Sequence, residues 1–428
     1  MKILINILGI IIVISGLYLF SSNKKDIDKK MIVKALVLQF ILTFLLVKFP
    51  LGRIALQKVS DVVTNVLSYG AEGLSFVFGS LSDSTASTGM IFAISVLGNI
   101  VFISALVAAL YYLGVIGFVV KGIGGVIGKV LGTSKVESFV AVANMFLGQT
   151  ESPILVSKYL PGMTESEIML VLISGMGSMS ATVLMGYAGM GIPMEYLLIG
   201  GALVPLGSII VSKIILPEVK TKEVSKTKEE VTYSNGDFIE VEIAEPIATE
   251  IACDEVKIDN KGDNANLISA IAQGANDGLN MALGIGASLI AIISLVALVN
   301  GVLGVVGLSL EKILSYVFSP MGFLMGLDKG DILTASQLLG SKLVLNEFVA
   351  FGQLGEIIQG LDYRTGLMMA ISLCGFANIS SMGICISGIS VFCPEKRNQL
   401  AKLAFRGMMG GFIVSLLSAL IVGLIVAI

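Results

Sequence analysis

Taken as a string of apolar and polar positions, the chain consists mostly of long apolar runs separated by short clusters of charge. Runs at 3–20, 32–47, 91–113, 168–187, 196–216, 282–302, 367–391 and 407–428 come close to the ~20 residues a helix needs to cross a hydrocarbon core of ~30 Å. They predict eight transmembrane helices. The first run is followed by a charged turn and a second apolar run, with no small-residue cleavage pattern between, so it reads as a retained helix. That turn, NKKDIDKK, is rich in lysine, and Lys and Arg favour the cytoplasmic side, which predicts an N-terminus outside. Eight spans then return the C-terminus to the outside. The later basic clusters, Lys213 to Lys228 and Lys396 to Arg406, fall inside under the same orientation. Beyond Pro50, Arg53, Lys58, Asp61 and Glu72 stand among apolar residues, the pattern of a helix lying in the membrane interface.

Two apolar segments are too short to cross. Residues 136–147 and 152–160 flank the polar GQTE at 148–151, and at ~1.5 Å per residue neither spans the core. Such a pair predicts a re-entrant helical hairpin, whose irregular tip is tolerated at membrane depth only inside protein or against a wet cavity. Thr164 and Glu167 fit a capping box opening the span that follows. The second half repeats the plan with 333–339, a break expected at Gly340, Ser341 and Lys342, and then LVLNEFVAFGQL, with Asn346 and Glu347 just past the break. Each hairpin precedes a full span with a polar interruption, GSMSA at 177–181 and FANISS at 376–381. The two units lie on either side of a polar insertion at 217–266, and the span count predicts that they enter from opposite faces. Inverted repeats with broken helices and carboxylates near the midplane point to a secondary transporter, with its site where the repeats meet. A carboxylate at the bilayer centre costs at least ~2.5 kcal/mol on insertion scales and persists only where a cavity and partners receive it.

Composition narrows the function classes. The chain of 428 residues is 55% hydrophobic and 14% charged, with a mean hydropathy of +0.92, which predicts an integral membrane protein. A net charge of -3 without a long basic run gives nucleic acid nothing to bind. The absence of histidine removes the commonest general base and metal ligand, and the aspartates fall at loop or interfacial positions, which weighs heavily against an intramembrane enzyme. Cys374 and Cys385 read as small packing residues, and the glycine run at 113–132 as a helix built for close approach.

At the polar interruptions the sequence resembles the bacterial concentrative nucleoside transporters. GQTE at 148–151, GANDGLNMALGIG at 274–286, NEFVAF at 346–351 and GFANISS at 375–381 carry the likeness, in that order, from about Phe92 onward and leaving out the insertion. The resemblance implies a homotrimer in the bacterial inner (cytoplasmic) membrane. Each protomer would import a uridine-like nucleoside with a sodium ion or a proton, sodium being the expectation here, by alternating access of a domain that contains the hairpins. It implies that Gln149, Thr150 and Glu151 face the nucleobase with Val183 as an apolar neighbour. Glu347, Asn378 and Ser381 would receive the ribose, with Phe376 beside sugar or base. Sodium would be held by the side chains of Asn144 and Ser178 and the carbonyls of Leu147, Ser178 and Met179. No cofactor is implied besides the coupling ion.

The residue chemistry is compatible with those roles. A carboxylate accepts from ribose hydroxyls, an amide and a hydroxyl match a base edge, and neutral oxygens suit a hard monovalent cation. The residues alone leave alternatives open. Asn144 and Ser178 also suit plain interhelical hydrogen bonds; Glu151 or Glu347 would serve a proton-coupled symporter; and channels too use re-entrant loops. The domain plan is an N-terminal part at 1–90, a first repeat at 91–216 with its hairpin at about 136–160, a cytoplasmic linker at 217–266, and a second repeat at 267–428 with its hairpin at about 331–358.

Overall fold

The computed structural model describes residues 2–83, 85–87, 89, 91–149, 152–219, 260 and 264–428; Thr150, Glu151 and most of the predicted linker lie outside the described residues. Every regular element among them is helical. The turn between α1 (Lys2–Leu19) and α2 (Lys29–Val47) is closed by Asp28, whose carboxylate accepts from the N–H groups of Lys30 and Met31, both at 3.0 Å. It thereby pairs donors that a helix start leaves without partners. Pro50 opens α3 (Pro50–Phe78), the amphipathic helix of the N-terminal part, at a position where its missing N–H costs nothing. After α4 (Phe92–Ser95) and α5 (Leu97–Tyr112) comes α6 (Val115–Leu131). Its glycines let it close onto α7 (Lys135–Ala143): a Cβ on Gly128 would lie 2.8 Å from Ser138 Oγ.

The first hairpin runs from α7 into residues 144–149, which lie outside any helix, and resumes in the single turn α8 (Ser152–Leu155). Thr164 and Glu167 form the capping box that opens α9 (Glu165–Gly177), as the sequence predicts. Then come α10 (Ala181–Gly189) and α11 (Met194–Ile215). The second half begins with α12 (Leu267–Gly304), followed by α13 (Leu310–Val317), α14 (Ser319–Leu324), α15 (Ile332–Val344), α16 (Glu347–Ile357), α17 (Tyr363–Leu373), α18 (Ile379–Phe392) and α19 (Arg397–Ala427). Among the described residues, seven helical stretches are long and apolar enough to cross a membrane, and each overlaps one of the eight predicted spans. The remaining run, 367–391, is divided between α17 and α18 by residues 374–378.

The second hairpin breaks elsewhere than the sequence suggests. Helix α15 continues through Gly340, Ser341 and Lys342, and the chain leaves the helix at Leu345 and Asn346. Gly340 is a packing residue, not a hinge: a Cβ there would approach Leu314 Cβ to 2.8 Å and Phe318 Cδ2 to 3.0 Å. Asn346 then restarts the chain as α16, its Oδ1 accepting from Val349 N at 2.9 Å.

Burial separates an interior from a shell. In α9–α10 and in α11, 89% of the apolar stretch is buried, and 83% in α19, against 6% in α12. Helix α12 packs on α5 through the 274–286 motif, where a Cβ on Gly274 would meet Ala108 Cβ at 2.5 Å and one on Gly278 would meet Ser104 Cβ at 2.7 Å. Its remaining surface presents Ile290, Leu298 and Val302, an apolar face suited to lipid or to another chain.

The two broken spans meet at their breaks. Phe376 N–H, in the gap between α17 and α18, donates to Ser178 O, in the gap between α9 and α10, at 3.2 Å. Gly375 has φ +101°, a left-handed conformation that favours glycine, and a Cβ there would lie 2.7 Å from Gly177 O. On the other side a Cβ on Gly411 of α19 would lie 2.8 Å from Gly177 N. Three main chains therefore touch where side chains would hold them apart.

Candidate functional site: a polar chain across the broken helices

A helix break leaves backbone N–H and C=O groups without helical partners. The first hairpin answers some of those of the first broken span. Phe146 O accepts from Ala181 N, the first residue of α10, at 3.0 Å, and Asn144 Nδ2 donates to Ser174 Oγ, in the last turn of α9, at 2.9 Å. Ser152 Oγ donates to Asn144 Oδ1 at 2.7 Å, tying both arms of the hairpin together through one side chain. Asn144, Leu147, Ser178 and Met179 are all buried at this junction of tip and break. Ser178 Oγ donates to Gly175 O at 3.0 Å, while its carbonyl faces the second break as described.

Glu347 begins α16, where the positive end of the helix dipole favours a carboxylate. It is 4% exposed, and it accepts from Tyr187 Oη at 3.2 Å and from Asn378 Nδ2 at 2.8 Å. Among the described residues it forms no ion pair. A carboxylate offers about four lone-pair positions, so two donors leave room for hydroxyls of a solute. Tyr187 is held by rings: Phe351 stacks on it at 4.2 Å between centroids and Phe348 lies tilted at 4.9 Å.

Asn378 works at both ends of its amide. Its Nδ2 reaches Glu347, and its Oδ1 caps α18, accepting from Ser381 N at 3.0 Å and Ser380 Oγ at 2.7 Å. Ser381 Oγ in turn accepts from Gln149 Nε2 at 3.5 Å, and the Cys385 thiol donates to Gln149 Oε1 at 3.4 Å. A continuous polar chain thus runs from Gln149 on the first hairpin through Ser381 and Asn378 to Glu347 on the second, ending at Tyr187 on α10. Val183 is buried on α10, and Phe376 is half-buried in the second break. Thr150 and Glu151 lie outside the described residues.

Three residues have contacts that the sequence reading does not give them. Tyr187 ends an apolar run and looks like core; its hydroxyl acquires a role only through the fold. Cys385 reads as packing and is buried, but its thiol also fixes the Gln149 amide. Lys342 carried a signal, since a lone charge in LLGSKLVL is unusual at membrane depth. The other acidic group on this half, Asp328, Asp331 and Asp362, stands at loop positions, where Lys2 lies 2.9 Å from Asp328.

Known proteins share this plan. Residues 8–81 and 196–423 match the N-terminal and C-terminal parts of the family described as Na+ dependent nucleoside transporter, and residues 93–194 match a Gate family described as nucleoside recognition. The likeness therefore includes the N-terminal helices, before the first of the sequence motifs. The nucleoside permease NupC of Helicobacter pylori is 36% identical over 439 residues, covering 99% of this chain and 98% of that protein. The sodium/nucleoside cotransporter 1 of Rattus norvegicus is 32% identical over 444 residues, covering 99% of this chain and 64% of that protein. Among solved structures, CNTnw in an inward-facing substrate-bound state is 33% identical with a TM-score of 0.87, covering 100% of this chain and 98% of that one. A CNTnw variant in an outward-facing state gives a TM-score of 0.89 at 33% identity, covering 100% and 99%. On these likenesses, and with a site of the matching chemistry, this chain belongs to the Na+-dependent family of concentrative nucleoside transporters and is a nucleoside transporter, not an enzyme.

Proposed function

We propose that the chain is a sodium-coupled symporter that imports nucleosides of the uridine type by alternating access. The observation that carries this reading is the polar chain from Gln149 to Glu347, because it joins both hairpins and both broken spans at one place. On this reading Gln149, Thr150 and Glu151 face the nucleobase beside Val183. Glu347, Asn378 and Ser381 receive the ribose, with Phe376 against the sugar or base. Ribose hydroxyls donating to Glu347 give charge-assisted bonds, each worth more than a neutral pair. Sodium takes the side-chain oxygens of Asn144 and Ser178 and the carbonyls of Leu147, Ser178 and Met179, where it holds the first hairpin against its broken span.

The architecture assigned to this function has eight spans and two re-entrant hairpins of opposite entry. The first part, 1–90, supports two repeats, 91–216 and 267–428, tethered by a cytoplasmic linker at 217–266. The assembly is a homotrimer in a bacterial inner membrane with both termini outside. The unpartnered apolar surface of α12 is suited to lipid and to such an assembly.

Radiolabelled uridine uptake into proteoliposomes, under a sodium gradient alone and a proton gradient alone, tests the reading. Sodium-driven accumulation that saturates supports it. Uptake driven only by protons hands the coupling to a carboxylate, and flux that never exceeds equilibrium makes the protein a channel.

A further inference from the structure

Lys342 is fully buried, near the end of α15. Its Nζ donates to Ser372 O at 3.0 Å, Cys374 O at 2.7 Å and Ser415 Oγ at 2.7 Å. The Ser415 hydroxyl also lies 2.9 Å from Phe412 O, to which it can donate while it accepts from the lysine. Three acceptors match the three N–H protons that an ammonium has to give. The Phe412 ring lies 5.6 Å from the nitrogen, within the reach of a cation–π contact. Two of the three oxygens belong to the end of α17, where helix carbonyls lose their partners and the dipole is negative.

This is the environment of a bound cation, built around a side chain. It stands at the broken end of α17, just as Asn144 stands at the broken end of α9. Each residue precedes its break by a similar stretch of chain. The difference lies in what the hairpin offers. Asn144 brings a neutral amide, and Lys342 brings a positive charge. We propose that the Lys342 ammonium is the second repeat's own tethered cation, holding the α17 break against the second hairpin in the place where the first repeat takes an ion from solution. Of the two breaks, then, only the first exchanges its cation. Lys342 is a positioning residue: by fixing the residues from Cys374 it sets Asn378, and through Asn378 the Glu347 carboxylate. The parallel with an exchangeable ion rests on the sodium reading above; the tether does not.

Two variants test this, Lys342→Met, which keeps the stem and removes the charge, and Lys342→Ala, which leaves a space among the three oxygens. The readouts are thermal unfolding in sodium-free choline buffer and uridine binding by calorimetry in sodium, each with and without methylammonium. Loss of the charge-assisted bonds should weaken uridine binding by Lys342→Met at least about tenfold, with no response to methylammonium. Lys342→Ala should regain thermal stability with methylammonium, and its uridine binding should become more steeply dependent on sodium than the parent's. Parent-like binding and stability of Lys342→Met overturn the proposal. So does a Lys342→Ala protein that no cation rescues, aggregated or folded. If the parent binds uridine equally well without sodium, the sodium reading fails, whereas methylammonium rescue in choline still stands.

Discussion

At the end of α9 the broken span faces an asparagine, two hairpin arms and neutral oxygens; at the end of α17 it faces a lysine whose nitrogen lies within 3.0 Å of three oxygens. Both ends present the same electrostatic need, carbonyls at the negative pole of a helix buried away from water. On the proposed reading one repeat meets it with a covalent charge and the other with an ion taken from solution. A tethered charge makes a fixed structure, and an exchangeable ion makes a dependence on the medium. The comparison teaches that two copies of one unit can divide the labour of holding a site and of sensing an ion.

The largest expected effect comes from separating the two breaks. Gly375→Ala places a Cβ in a left-handed position and against Gly177 O, which should cost roughly 3 kcal/mol or more. Thermal unfolding of the purified protein measures it, and an unchanged midpoint would mean that the breaks do not touch as described. Next is Glu347→Gln, which keeps the shape but removes charge-assisted bonds worth about 1.5–3 kcal/mol, about a tenfold or greater loss of uridine affinity. A free nucleobase should compete poorly with uridine in the parent protein, since it offers Glu347 no ribose.

Asn144→Ala tests the first break as an ion site. If sodium holds the tip that carries Gln149, sodium and uridine must each raise the other's affinity by the same factor, plausibly about 5- to 150-fold. The variant should lose that mutual enhancement while remaining folded; calorimetry in sodium and in choline measures both directions of the linkage. Enhancement that survives intact in the variant would move the ion elsewhere. The smallest effect belongs to Tyr187→Phe, which keeps the stacked ring and removes one donor to Glu347, a change of about 1 kcal/mol and a few-fold in uridine affinity.

Much of this architecture was legible in the sequence because membrane helices are written in runs. Among the described residues, seven helices long and apolar enough to cross a membrane, the capping box at Thr164 and Glu167, the first hairpin's short arms and the two interruptions follow from length and polarity alone. The break in the second hairpin did not. Gly340 and Lys342 have the composition of an interruption, yet one is spent on contact with α13 and the other reaches α17 and α19, and both depend on neighbours remote in sequence. Of the proposed site, Glu347 and Asn378 stood out as polar groups in apolar surroundings. Tyr187 and Cys385 did not, because only the crossing of the broken spans brings a tyrosine hydroxyl to a carboxylate 160 residues away and a thiol to Gln149.

The contact between the breaks is made of main chain: an amide to a carbonyl, and glycines against glycine. A frame of that kind is blind to most side-chain replacements around it. Neighbouring positions such as Val183, Phe376 and Cys385 can therefore change in sequence divergence without loosening the junction. If those positions line the nucleoside site as proposed, one backbone scaffold is free to acquire different preferences by single substitutions, while a side chain at Gly375 or Gly411 would push the main chains apart.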